Sequence, residues 1–170
     1  MDKDNPNISG YVEYVIRRAK SKSDTAFRAV MRRAANPNLE SAAWEYMVPF
    51  CDIGVDRIRR AFALVGAAIA SEAPETDGSA SLGRALRSMC KDDDAVEREG
   101  RRLRRLLGCE TTEELIGVLR PMVHYLQDNA VMKISYTKLL QDLCYWGERT
   151  RIAWTKDFYL KTTNEDAAKS

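Results

Sequence analysis

The chain has 170 residues, which is enough for one domain or two small lobes with a real hydrophobic core. The apolar fraction of 45% and the charged fraction of 31% are typical of a soluble globular protein, and the net charge of +2 indicates no partner by itself. The longest run of small or apolar residues, 61–70, is too short to span a bilayer. The first residues are acidic and polar, unlike a signal peptide, so we expect a cytoplasmic protein without a membrane partner.

Helical periodicity starts near the beginning of the chain. Apolar residues within 11–16 predict a helix that Ser9 caps and that runs to about Lys20. Asp24 is the predicted N-cap of a second helix, which ends before the sequence Asn-Pro-Asn at 36–38.

Two further helices precede the clearest break in the chain. A short one contains Trp44, whose indole we expect in the core, and Pro49 stops it. A longer one runs from Asp56 to about Ser71. Residues 72–81 combine Pro, Gly, Ser and acids without an apolar period, and predict a linker between two lobes or a mobile loop.

The second half of the chain carries three more N-cap signals. Gly108 should end one helix, Pro121 should kink or split a second, and the chain should bend at the pair Trp146-Gly147. The predicted N-caps are Ser81, the acids at 92–94, and Thr111 in a capping box with Glu114, and the last helical segment begins at Ser135.

No strand pattern occurs, apart from a short ambiguous alternation within residues 11–16. The sequence therefore predicts an all-α fold of about seven to nine helices in two packed bundles. The N-terminal bundle should comprise residues 1–76. The C-terminal bundle should comprise residues 77–170, ending in a disordered tail from Lys161.

An arginine-rich run, Arg98–Leu107, predicts an amphipathic helix. At 100° per residue, Arg101, Arg102 and Arg105 fall within about 60° of Arg98, and Leu103 falls on the opposite side. Such a face is either solvated surface or a fixed row of guanidinium groups that binds phosphate. Four other basic clusters, at 17–33, 57–60, 84–87 and 149–151, would form a long positive track if the fold brought them together.

Catalytic and metal-binding signals are weak. The sequence contains no Gly-x-Ser-x-Gly, His-Glu-x-x-His, P-loop or Gly-x-Gly-x-x-Gly motif. The single histidine, His124, has no partners at motif spacing, and the acids at 92–94 are better placed to cap a helix than to bind a metal. The four cysteines form no Cys-x-x-Cys pair and are expected to be buried, reduced thiols. We therefore expect no enzymatic activity, no metal and no cofactor.

Three motifs, in this order along the chain, resemble one known family. They are Val-Pro-Phe at 48–50, Ser-Leu-Gly-Arg-Ala-Leu at 81–86, and Trp-Gly-Glu-Arg at 146–149 followed by Asp-Phe at 157–158 and Thr-Thr-Asn at 162–164. Together they resemble CasB, the small subunit of the type I-E CRISPR surveillance complex Cascade.

The resemblance implies a non-catalytic helical subunit that packs as a pair of copies beside the backbone and large subunits of the complex. It implies contacts with crRNA and target DNA, and stabilisation of the displaced strand of the R-loop through a basic surface. Arg84 is either such a contact or a bond between helix ends of the two lobes. The candidate nucleic-acid contacts are Arg28, Arg32, Arg33, Arg57, Arg60, Arg84, Arg101, Arg102, Arg105, Arg120, Arg149 and Arg151.

Two other functions remain compatible with the sequence. A helical adaptor could use its arginines to pair with the carboxylates of a protein partner and leave nucleic acid alone. A helix-turn-helix regulator would read one duplex sequence, although no clean two-helix turn is evident.

Overall fold

The computed structural model describes residues 5–160, and the predicted tail from Lys161 lies outside these residues. The described residues form nine α-helices, and they contain no strand, only an isolated bridge between Ala80 and Ile134. The predicted all-α fold is confirmed. The helices are α1 (Ile8–Lys20), α2 (Thr25–Arg33), α3 (Trp44–Met47), α4 (Asp56–Glu72), α5 (Leu82–Ser88), α6 (Asp93–Leu107), α7 (Thr112–Asn129), α8 (Tyr136–Cys144) and α9 (Glu148–Tyr159), with a 3-10 helix (Glu40–Ala43) before α3.

Helix α4 lies at the centre of the core. Residues 61–70 are all buried, and α4 packs against α1, α2, α7 and α8. A helix that is apolar on all sides is stable only when other helices surround it. The buried apolar residues form one cluster that continues across the loop at 73–80, while the division into two bundles at residue 76 stays a prediction.

Helices α5 and α9 make a close backbone contact. A Cβ atom at Gly83 would lie only 2.3 Å from the carbonyl oxygen of Trp154, so glycine is the residue that fits. Helix α6 packs on α5, α7 and α9, which places the arginine-rich run at the surface of this group.

Four N-cap side chains each accept a hydrogen bond from the backbone N–H three residues later, and all but Ser135 confirm predicted caps. These caps are Ser81, Asp92, Thr111 and Ser135. Glu114 completes the predicted capping box. The first N-cap was predicted wrongly, since Asn7 and not Ser9 accepts from Gly10. Asp24 occupies the predicted N-cap position but makes no cap bond, because its carboxylate pairs with Arg18.

Two other local predictions need correction. The predicted split at Pro121 is wrong, because helix α7 runs through it without a break, while the predicted kink stays a prediction. The carbonyl that loses its intrahelical donor there belongs to Gly117, an exposed residue whose carbonyl water can reach. Trp44 is 38% exposed and not part of the core, and its indole N–H donates to the buried carboxylate of Glu40.

The cysteines are all free. Cys51, Cys109 and Cys144 are buried and Cys90 is half-buried. Burial raises the pKa of Cys51 and Cys144 to about 12, so these two thiols stay protonated at neutral pH. Among residues 5–160, no helix is both long enough and apolar enough to cross a membrane.

Candidate nucleic-acid interface

A groove of about 500 Å³ lies between α2, α4 and α7. Three of the predicted contacts border it: Arg32 and Arg33 at the end of α2, and Arg120 on α7. His124, one turn after Arg120, lies beside them. The apolar lining comes from α4, through Leu64, Ala67 and Ala68, from α7, through Pro121 and Val123, and from Ala35 and Leu39 after α2. The fold therefore brings together cations that are far apart in the sequence.

Contacts within the fold use only part of the hydrogen-bonding capacity of Arg32 and Arg33 at the end of α2. The Nε of Arg32 donates to the carbonyl oxygen of Ala70 at 3.2 Å, and the Nε of Arg33 donates to that of Ala29 at 3.0 Å. These bonds use one N–H of each guanidinium group and leave both Nη nitrogens for another acceptor. A guanidinium edge of this kind suits a phosphate oxygen pair.

The arginine-rich run lies on α6, which packs on α7, and none of its residues borders the groove. Leu103 and Leu106 are buried and Arg101 and Arg105 are exposed, so α6 has the predicted amphipathic character. Arg101 lies 3.7 Å from the carboxylate of Glu97, a loose and exposed pair.

Arg102 lies on the predicted face of α6, but its guanidinium group makes contacts within the fold that the helical wheel did not predict. Its Nη1 donates to Glu99 Oε1 at 2.7 Å, and its guanidinium carbon lies 4.3 Å from the ring centroid of Tyr125 on α7. Arg98 donates to the same carboxylate oxygen through Nε at 3.1 Å. Burial and the hydrogen bond to Glu99 raise the pKa of Tyr125.

The buried carboxylate of Glu99 was missed in the sequence, although a signal was present. On the helical wheel Glu99 falls at about 100° from Arg98, between Leu106 at about 80° and Leu103 at about 140°. An acid between two core leucines, flanked by arginines, is typical of a buried ion-pair cluster.

The sequence model of the family described as CRISPR-associated protein Cse2 matches residues 27–159, which is most of the chain. The chain belongs to the Cse2 family. The resemblance to CasB of the type I-E Cascade is therefore confirmed.

Solved structures of Cse2-family proteins share the fold. CasB from Thermus thermophilus is 20% identical with a TM-score of 0.67, and the match covers 91% of this chain and 98% of that chain. Another structure from Thermus thermophilus, of a CRISPR-associated protein of the Cse2 family, is 23% identical, with a TM-score of 0.68 and the same coverage. CasB from M. ruber is 21% identical with a TM-score of 0.67, covering 94% and 98%. No curated protein matches the sequence at a significant level.

Some predicted contacts of this Cse2-family chain have roles inside the fold. Arg57 donates through Nη1 to the carbonyl oxygen of Cys144. Arg151 donates through Nη2 to that of Cys109 at 2.6 Å and lies over the ring of Trp146. Arg60 is half-buried, and its Nε is buried without a partner among the described residues. The nucleic-acid contacts predicted for these three arginines stay predictions.

The remaining predicted contacts lie in mixed surroundings. Arg149 is exposed and borders a second groove of about 640 Å³ together with Lys138, Asp142 and Asp157, so charges of both signs meet there. Burial raises the pKa of Asp142, which accepts a hydrogen bond from the indole of Trp154. The half-buried Arg84 and Arg28 lie elsewhere, on α5 and α2.

Proposed function

We propose that this chain is a non-catalytic subunit of a type I-E Cascade that binds nucleic-acid backbones without reading sequence. Its acceptors are the phosphates of crRNA and target DNA, including the displaced strand of the R-loop. It acts beside the backbone and large subunits and a second copy of itself. The observation that carries the proposal is the groove at which Arg32, Arg33 and Arg120 converge from two helices.

The proposed mechanism is electrostatic. Exchanging DNA pairing for RNA–DNA pairing is nearly balanced in free energy, so modest stabilisation of the displaced strand favours the open state. Guanidinium groups that replace the counterions of phosphates supply that stabilisation, and they do so for any sequence. The groove offers cations above an apolar lining, which suits a single strand whose bases are not paired.

A salt series with the 170-residue chain tests this proposal. Binding of two unrelated single strands is measured by gel shift from low to moderate salt, for the wild type and for the triple variant Arg32→Ala, Arg33→Ala and Arg120→Ala. We expect equal affinity for the two sequences. The salt slope of the variant should be shallower by up to about 2, since each phosphate contact on a single strand contributes about 0.7.

The control for loss of one exposed charge is Arg104→Ala. This side chain is exposed and pairs with Glu97 at 3.0 Å outside the groove, so the substitution lowers the charge by one without touching the proposed contacts. An unchanged slope in the triple variant would refute the groove as the contact.

One observation favours a protein partner in addition. Val131, Met132 and Leu160 are exposed around a hollow bordered by Arg84 and Arg87. An adaptor without nucleic-acid contact would assemble with its partners and bind neither strand. A strong preference for one duplex sequence would instead favour a helix-turn-helix regulator.

A further inference from the structure

The carboxylate of Glu99 is fully buried, and three donors converge on one of its oxygens. Oε1 accepts from Arg98 Nε at 3.1 Å, from Arg102 Nη1 at 2.7 Å and from the hydroxyl of Tyr125 at 2.9 Å. Oε2 is also buried and has no partner among the described residues. The side chain therefore joins two neighbouring turns of α6 to α7 through a single atom.

Both arginines keep most of their donors unpaired among the described residues. Arg98 keeps both Nη nitrogens, and Arg102 keeps Nη2 and Nε, while their side chains are 50% and 35% exposed. The two cations and the one buried anion leave a local charge of +1. Because Arg98 and Arg102 are four residues apart, their guanidinium groups lie on the same face of the helix.

We propose that Glu99 is a positioning residue that holds Arg98 and Arg102 as a paired phosphate site. The site takes the phosphodiester backbone of a single strand, and the inference rests on the proposed function. Arg98 thereby joins Arg101, Arg102 and Arg105, the candidate contacts that the sequence placed on the same face.

The physical reason is preorganisation. A free arginine side chain loses rotamer freedom when it binds phosphate, whereas one already fixed by a buried acceptor loses less. The ring of Tyr125 further limits the guanidinium plane of Arg102. A buried carboxylate is retained only when it is paired, so these contacts should persist in the free protein.

The substitution Glu99→Gln separates positioning from simple charge. If Glu99 merely competes with phosphate for the arginines, removing its charge should strengthen binding and leave the salt slope equal or steeper. If Glu99 positions them, binding should weaken despite the added positive charge. The slope on a single strand should then fall by up to about 1.4, the contribution of two phosphate contacts.

Glu97→Gln is the matched control. It makes the same change of charge two residues earlier on α6, at a side chain that is 60% exposed and pairs only with Arg101 and Arg104 among the described residues. We expect its binding to be equal to or slightly tighter than that of the wild type. Weaker binding in both variants to the same extent would overturn the positioning role.

A second measurement distinguishes positioning from general support of the fold. In the background Arg98→Ala and Arg102→Ala, adding Glu99→Gln should cause no further loss of affinity, since nothing remains to be positioned. A residue that acts only through overall stability would lower binding in that background as well.

Tyr125→Phe keeps the test decisive if Glu99→Gln does not fold. It removes the hydroxyl that donates to Glu99 and accepts from Arg102 Nη1 at 3.3 Å, but it retains the ring beside Arg102, so it should reduce the slope by less than Glu99→Gln. An unchanged slope in the folded variant overturns the inference. If the wild type itself binds no strand, the proposed function fails. If the wild type binds through the groove arginines but Glu99→Gln is not weakened, only this inference fails.

Discussion

The guanidinium group of Arg57 on α4 donates to the carbonyl oxygen of Cys144, the last residue of α8. The final carbonyls of a helix have no intrahelical donor, so this cation caps α8 from 87 residues earlier in the chain. The bond joins the central helix to the C-terminal half of the core. Arg57 therefore has a role in stability, whatever it contributes to binding.

Replacing Arg57 with alanine should lower the free energy of unfolding by about 1–2 kcal/mol, because a partly buried carbonyl loses its charged donor. Urea unfolding followed by circular dichroism measures this change. Arg105→Ala is the control, since it removes an exposed arginine and should stay within about 0.5 kcal/mol of the wild type. Equal stabilities of the two variants would show that the cap contributes nothing.

The loop at 73–80 is fixed by Asp77. Its carboxylate accepts from the backbone N–H groups of Tyr136 at 2.6 Å and Thr137 at 3.1 Å, at the start of α8. It also accepts from the hydroxyl of Ser135 at 3.2 Å. The N–H groups of Tyr136 and Thr137 are free donors of a helix N-terminus, where a carboxylate is favourable.

Asp77→Ala should therefore cost about 2 kcal/mol of unfolding free energy, since it leaves several helix donors without an acceptor. The loss of unfolding free energy for Asp77→Asn should lie between zero and that of Asp77→Ala, because its side-chain amide retains one acceptor oxygen. Glu75→Ala lies in the same loop and removes only an exposed pair with Lys20, so it should cost about 0.5 kcal/mol or less. A large loss for Glu75→Ala with none for Asp77→Ala would contradict this account of the loop.

Local signals in the sequence predicted much of the fold. Four helices are capped through hydrogen bonds that span only three residues, so the adjacent sequence contains the information for where these helices begin. The capping residues are Ser81, Asp92, Thr111 and Ser135. The same signals gave the boundaries of most helices. Ser9 failed as a cap because Asn7, two residues earlier, offers an equally good acceptor.

Contacts between distant residues could not be predicted in this way. The acceptor of Arg57 and the donors to Asp77 lie on helices that periodicity does not place beside them. The same limit applies to the groove, where Arg33 and Arg120 meet only because α2 and α7 both pack on α4. Glu99 was predictable in part, since its position on the wheel lies among core residues.

Two glycines in helices should respond to alanine with opposite signs. At Gly83, a Cβ atom would lie 2.3 Å from the carbonyl oxygen of Trp154, and backbone must move to relieve the clash. We expect Gly83→Ala to cost about 2 kcal/mol or more through separation of α5 and α9. At Gly117 the added Cβ would meet no atom within 4 Å apart from the neighbouring backbone of its own helix, so Gly117→Ala should stabilise α7 by about 0.5–1 kcal/mol.

Thermal unfolding of both variants measures these effects, with the wild type as reference. The two substitutions add the same methyl group to a helix, in the first turn of α5 and in the interior of α7, and the main difference between them is the contact that the methyl group meets. A Gly83→Ala variant as stable as Gly117→Ala would show that α5 and α9 are not in close contact.

The pair formed by Asp24 and Arg18 makes stability depend on pH at the acid end. The hydrogen bond from Arg18 Nε, at 2.5 Å, is the main cause that lowers the pKa of Asp24 below its ordinary value. A carboxylate with a lowered pKa in the folded state stabilises the fold above its unfolded pKa, which is about 4. That stabilisation is lost as the pH falls through the folded pKa of Asp24.

Asp24→Asn should therefore have a lower free energy of unfolding than the wild type at pH 7, and the gap between the two free energies should close below about pH 4. Urea unfolding of both proteins between about pH 7 and about pH 2.5 measures the gap, and a gap independent of pH would assign the loss to packing around Arg18 instead of to charge.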